Sequence, residues 1–151
     1  MDNAVLTRVL EFKKRYKGTI GWRLKKHAKL VEYFLNPEEK VLYAFPAQNN
    51  DDWYNIFSTC IVAITNKRFI IGTKRFFFGH FLTSITPDLF NDLKVNSRLI
   101  WGTAEIDTVK ENIFLSNISK KALNEIETEI TEYVLREKKK YLLRDKKNQS
   151  T

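Results

Sequence analysis

The strongest constraint on this chain is a change of period. Between Lys40 and Ile118 the apolar residues stop recurring at helical intervals and gather into short runs, each cut off by a turn cluster. The runs are Lys40–Phe45, Ile56–Ile64, Arg68–Gly72, Phe76–Phe81, Asp88–Val95, Leu99–Asp107 and Ile113–Ser116. Pro46, Thr65-Asn66-Lys67, Thr73-Lys74-Arg75, Asn96-Ser97-Arg98 and Lys110-Glu111-Asn112 punctuate them. Seven short strands joined by tight turns predict an antiparallel meander. Gly102, inside its strand, is the expected position of a bulge where the sheet bends.

Both flanks keep the helical period. Val5, Val9, Phe12 and Tyr16 share one face of a first helix, with Leu6 and Leu10 beside them, and Gly18-Thr19-Ile20-Gly21 interrupts. Leu24, Ala28, Val31 and Leu35 mark a second helix, which Asn36-Pro37 ends because proline disfavours helical geometry in the residue before it. After residue 118, Ser119 is the expected N-cap of a closing helix striped by Ala122, Leu123, Ile126, Ile130, Tyr133 and Val134. From Arg136 a Lys-rich end either extends that helix or frays, with Asn148–Thr151 expected to be disordered. A sheet this small curls into a barrel or two packed layers, and one amphipathic helix is the natural plug for its open end.

The 151 residues suit a single domain, and 43% apolar content is enough to bury a core. A lone Cys60 cannot build a disulfide framework. No run of apolar residues is long enough to span a bilayer, and the start of the chain lacks the apolar stretch of a signal peptide. The cytoplasm is therefore the expected compartment. The formal charge of +8 is carried by the flanks. Residues 1–35 hold nine Lys and Arg against three acids, residues 36–118 eight against nine, and residues 119–151 nine against six. Basic amphipathic helices fit an anionic membrane surface, and they equally fit packing on their own domain with a solvated charged face.

No catalytic or metal constellation emerges. His27, His80 and Cys60 are scattered, and no Gly-rich phosphate loop is present. Asp51 and Asp52 are adjacent carboxylates on a polar loop, and Ser58, Ser84 and Ser97 lack a nucleophile-elbow context. No enzyme activity, metal or cofactor is expected. The basic flanks with Tyr16, Trp22, Tyr133 and Tyr141 mix charge and stacking groups, yet no recognition motif accompanies them. Specific nucleic-acid binding is not expected.

Four segments carry a family resemblance. Asn36-Pro37-Glu38-Glu39-Lys40-Val41-Leu42 looks like the opening of bacterial pleckstrin-homology-like (PH-like) domains. Ile64-Thr65-Asn66-Lys67-Arg68-Phe69-Ile70-Ile71 is similar to their strand-turn-strand motif, and Leu99–Ile106 to their late strand pair. Asn117-Ile118-Ser119-Lys120-Lys121-Ala122 resembles the approach to their closing helix. Together these resemble the YokE-like group. The resemblance implies a seven-stranded, partly open barrel capped by the C-terminal α-helix over residues 36–135. Residues 1–35 form a basic helical segment outside it, and residues 136–151 a charged extension or disordered tail. It also implies a scaffold for lipid, peptide or protein binding, of bacterial or phage origin, without enzymatic activity.

Lipid-binding relatives grip phosphates with basic residues between the first two strands. Here that loop is Ala47-Gln48-Asn49-Asn50-Asp51-Asp52, acidic at its tip, which disfavours a multiply charged anion. Lys67, Arg68, Lys74 and Arg75, in later turns, could form a weaker basic rim. Phe76-Phe77-Phe78-Gly79-His80-Phe81 is the most pointed local feature. Strand side chains alternate faces, so three consecutive Phe cannot all enter one core. Either the outer ones meet a partner, with Trp53 and Tyr54 adding surface, or the N-terminal helices cover them. The expected function is a protein-binding or self-associating module using Phe76, Phe77, Phe78, Phe81, Trp53 and Tyr54. The alternative is peripheral attachment to anionic lipid at the inner membrane face through the basic flanks. Its anion-contacting candidates are Lys13, Lys14, Arg15, Lys25, Lys26, Lys74 and Arg75.

Overall fold

A computed structural model describes residues 3–150. Two helices, α1 (Ala4–Arg15) and α2 (Leu24–Tyr33), precede seven strands. These are β1 (Val41–Gln48), β2 (Thr59–Thr65), β3 (Phe69–Lys74), β4 (His80–Ile85), β5 (Phe90–Ser97), β6 (Gly102–Thr108) and β7 (Asn112–Ile118). A long helix, α3 (Leu123–Gln149), closes the chain. The strands form one antiparallel sheet in the order β4-β3-β2-β1-β7-β6-β5, with β4 and β5 as its two edges. The sheet is a partly open barrel: β1 and β7 meet through a single registered pair, Gln48 with Ser116.

β2 explains why its sequence reads as an unbroken apolar run. All seven residues are buried, because both faces of this half of the sheet are covered. Cys60, Val62 and Ile64 point inward to a core shared with Phe45, Phe69, Ile106 and Leu115 and sealed by Ile126, Ile130 and Tyr133 of α3. Burial pushes the Cys60 thiol up to about 12, so it behaves as a small hydrophobe. Ile61 and Ala63 point outward to a second layer with Ala44 and Ile70, against Val5 and Val9 of α1 and Ala28 and Val31 of α2. A Cβ added at Gly72 would lie 2.7 Å from Val31 Cγ2, so glycine permits this close approach of α2. The apolar stripes of both N-terminal helices are thus used inside the domain.

The β2–β3 turn is fastened by a buried ion pair. Arg68 Nε donates to Glu39 Oε1 at 2.9 Å and Nη2 to Glu39 Oε2 at 3.1 Å. Nη1 reaches Ser84 Oγ at 3.0 Å and Nη2 the Phe34 carbonyl at 2.8 Å. Burial alone would raise the Glu39 carboxyl. Donors from Arg68, the Asn36 N–H and the Thr65 hydroxyl outweigh it and hold the group at about 2.

Several sequence expectations are corrected. Pro46 does not end β1, which continues to Gln48. The Asn49 N–H donates to Ser58 O, so odd-numbered residues of β1 face β2, and residue 46 faces the seam toward β7 where pairing is almost absent. A proline there forfeits no ladder bond. Phe76, Phe77 and Phe78 lie in no strand: β3 ends at Lys74 and β4 starts at His80. Gly79 turns the chain back at φ 75°, and Arg75 N–H closes the loop on Gly79 O at 3.2 Å. Ser119 makes no side-chain cap; Lys120–Ala122 form a 3-10 turn leading into α3. The helix continues through Asn148 and Gln149, where disorder was expected, while Thr151 lies outside the described residues. Gly102 opens β6 rather than lying inside it, with a register shift against β7 between Gly102 and Ala104.

Candidate interaction surface

Three loops and the α1–α2 link build an aromatic rim. The β1–β2 loop carries Trp53, Tyr54 and Phe57, all exposed, with Trp53 at 71%. The β3–β4 loop carries Phe76, Phe77 and Phe78, the last two 81% and 87% exposed. The β5–β6 loop adds Leu99, at 92% exposure, and Ile100. Trp22 comes from the link between α1 and α2.

Ring contacts join these pieces. Trp22 lies 5.2 Å from Phe57 and 6.0 Å from Phe76, and Phe57 lies 5.8 Å from Phe76. The Arg23 guanidinium sits 5.0 Å from the Trp22 ring and 5.4 Å from Phe76, a cation–π contact to both. Trp53 packs 4.6 Å from Trp101, and Asp51 pairs with Arg98 at 2.8 Å, which ties the β1–β2 loop to the β5–β6 loop. The base of the rim is therefore ordered, while Phe77 and Phe78 project from it.

A buried polar knot holds the β1–β2 loop. Gln48 is fully buried; its amide nitrogen donates to Asp52 O at 2.6 Å and to Asn50 Oδ1. Its amide oxygen accepts from the Asn55 N–H at 2.7 Å. Asn50 Nδ2 reaches Ser58 Oγ at 2.7 Å, and the Ser116 hydroxyl donates to Asn50 O. The loop that composition marks as a solvated polar tip is pinned at its root. His27 does the same for the β3–β4 hairpin: its Nδ1 accepts the Lys74 N–H at 2.8 Å. Burial, helped by the nearby Arg23 charge, holds His27 down at about 4, so the ring stays neutral and keeps that acceptor.

The residues singled out from sequence fall in different places. Phe76, Phe77, Phe78, Trp53 and Tyr54 share the rim, while Phe81 lies in β4 and is 38% exposed. Lys13 Nζ donates to the carbonyls of Lys17 and Thr19, so its charge closes the C-terminal turn of α1. Arg15 pairs with Glu125 at 3.1 Å. Lys14, Lys25, Lys26, Lys74 and Arg75 are exposed. Lys67 and Arg68 precede β3, Lys74 ends it and Arg75 follows, so these four do not make one basic rim; the strand sets the two pairs roughly 20 Å apart. Leu99, Ile100 and Trp101 were missed because Leu99–Asp107 reads as one strand. Arg98 and Gly102 bracketing three apolar residues were the signal of a loop. Among the described residues no helix is long and apolar enough to cross a membrane.

Comparisons with known proteins give a family for the chain. No curated protein matches the sequence. A solved structure, that of a DUF1696 family protein with a pleckstrin-homology domain from Shewanella loihica PV-4, is 14% identical. It aligns over 75% of this chain and 91% of its own with a TM-score of 0.46. The model of the family described as "Bacterial PH domain" matches residues 35–132. Spanning well over half of the sequence, that match shows that the chain belongs to the bacterial PH domain family.

Proposed function

We propose that this bacterial PH domain is a non-catalytic binding module that docks a protein partner, or a second copy of itself, through the aromatic rim. We include in this reading the finer YokE-like kinship and a cytoplasmic location. The observation that carries it is the exposure of Phe77 and Phe78 on an ordered base of Trp22, Arg23, Phe57 and Phe76. Large rigid aromatics anchor protein interfaces by filling pockets at low entropic cost. The Asp51 carboxylate is already matched by Arg98 at 2.8 Å, and Arg23 sits over Trp22 and Phe76, so the rim mixes both signs of charge among its aromatics, as protein interfaces do. The burial of the apolar stripes of α1 and α2 also leaves the lipid alternative only the Coulombic attraction of exposed lysines.

The test compares wild type with Phe77→Glu combined with Phe78→Glu. Light scattering across concentration and affinity capture from native cells should reveal self-association or a partner with wild type and lose it with the variant. Monomeric behaviour of both proteins, with identical captured material, refutes the reading. Sedimentation with vesicles containing phosphatidylglycerol, using Lys25→Gln with Lys26→Gln, separates the lipid alternative.

A further inference from the structure

A groove of about 520 Å³ lies at the other end of β3, between the β2–β3 turn and the C-terminal half of α3. Lys67 and Arg68 line it from the turn, and Lys140 and Arg144 from the helix. Ser84 and Thr86 contribute hydroxyls. Glu137 is the carboxylate in the lining, and it is already paired with Lys140 at 3.1 Å and Arg136 at 3.9 Å.

Arg68 is held by Glu39, Ser84 and the Phe34 carbonyl, so its charge is matched and its position set. That accounting leaves Lys67 and Arg144. Neither meets a carboxylate among the described residues, although the Arg144 guanidinium lies 5.9 Å from the Tyr141 ring. Two exposed, unmatched cations facing one polar groove repel each other, and an oxyanion bound between them removes that repulsion. Hydroxyl donors beside them suit the several acceptor oxygens of a phosphate, and the volume lies within the range of small-ligand sites.

We propose that this groove binds a phosphate-bearing ligand, held by Lys67 and Arg144 with Ser84 and Thr86 as hydroxyl donors. The chemistry is shared by a soluble phosphorylated metabolite and a phospholipid headgroup. The site is independent of the aromatic rim.

The test is titration calorimetry with inorganic pyrophosphate, beside sedimentation with phosphatidylcholine vesicles containing phosphatidic acid. Three proteins are compared: wild type, Lys67→Gln with Arg144→Gln, and Lys17→Gln with Lys121→Gln, two exposed residues outside the groove lining. The last removes equal charge far from the groove. Pyrophosphate binding weakened at least about tenfold in the groove variant and unchanged in the control assigns a soluble ligand. The same pattern confined to vesicles assigns a headgroup. Equal loss in both variants, or no saturable binding of either probe by wild type, overturns the proposal. An unchanged melting temperature of the groove variant shows that the effect is not unfolding.

Discussion

Replacing Glu39 by Gln tests the tightest electrostatic unit in the fold. The carboxylate side chain has no solvent exposure and the Arg68 side chain only 18%. Arg68 grips the carboxylate with two nitrogens, and two further donors reach it: the Asn36 N–H at 2.9 Å and the Thr65 hydroxyl at 2.6 Å. The group sits at about 2 instead of its ordinary 4.5. At about 1.36 kcal/mol for each pH unit between these values, the charged form contributes roughly 3 kcal/mol at neutral pH. Breaking a buried pair from one side costs about 3–5 kcal/mol, which agrees. For a domain of this size that lowers the melting temperature by roughly 6–12 °C. The folded-state value lies below the unfolded one, so the stabilisation is complete above about pH 5 and is lost as pH falls toward 2. Thermal melts of wild type and Glu39→Gln between pH 7 and 3 should therefore show a gap that is constant down to about pH 5 and narrows below it. A gap that stays constant to pH 3, or no gap at pH 7, refutes the reasoning.

Two other substitutions probe the supports of the two ends. His27, at about 4 in the fold against an ordinary 6.5, contributes stability that is full above pH 6.5 and lost as pH falls through 4. His27→Gln, which keeps an acceptor for the Lys74 N–H, should flatten that limb of the stability curve, as read by chemical denaturation at stepped pH. Gly102→Ala would place a Cβ 2.6 Å from Leu123 Cδ2 and 2.7 Å from its Cγ. Overpacking where α3 enters the core should cost about 1–3 kcal/mol, measured by urea unfolding.

Much of the architecture is legible in the sequence because periodicity reports burial directly. The stripe Leu123, Ile126, Ile130, Tyr133 is the face that α3 buries, and Val5, Val9 and Phe12 are the face that α1 buries. Where the reading failed, context had overruled a local rule. Pro46 breaks a strand only if its missing N–H is needed, and the open seam beside β1 removes that need. Phe76–Phe78 have strand propensity, but the β3–β4 pairing ends at Lys74 with His80, leaving them on the loop. The buried network of Gln48, Asn50 and Asn55 was invisible, since those residue types mark solvated turns equally well. The groove was hidden for a different reason. Lys67 and Arg144 are far apart in the chain, and only the length of α3 brings them to one cleft.

The N-terminal helices decide which surfaces remain for function. The family match begins at residue 35, yet the outward side chains of β1, β2 and β3 (Ala44, Ile61, Ala63, Ile70) are apolar and need cover. Val5, Val9, Ala28 and Val31 supply it, and Phe12 reaches past them into the inner core, where it lies 5.7 Å from Phe45. A segment outside the matched region is therefore integral to the fold, and the stripes Val5, Val9, Phe12 and Ala28, Val31 are spent inside it, while Leu10 and Tyr33 remain exposed. Two surfaces that stay available lie at opposite ends of β3: an aromatic one built with Trp22 and Arg23 of the α1–α2 link, and a polar, cationic one walled by α3. The docking rim and the anion groove proposed above differ in chemistry and stand a strand's length apart, which makes them two separate surfaces rather than two halves of one site.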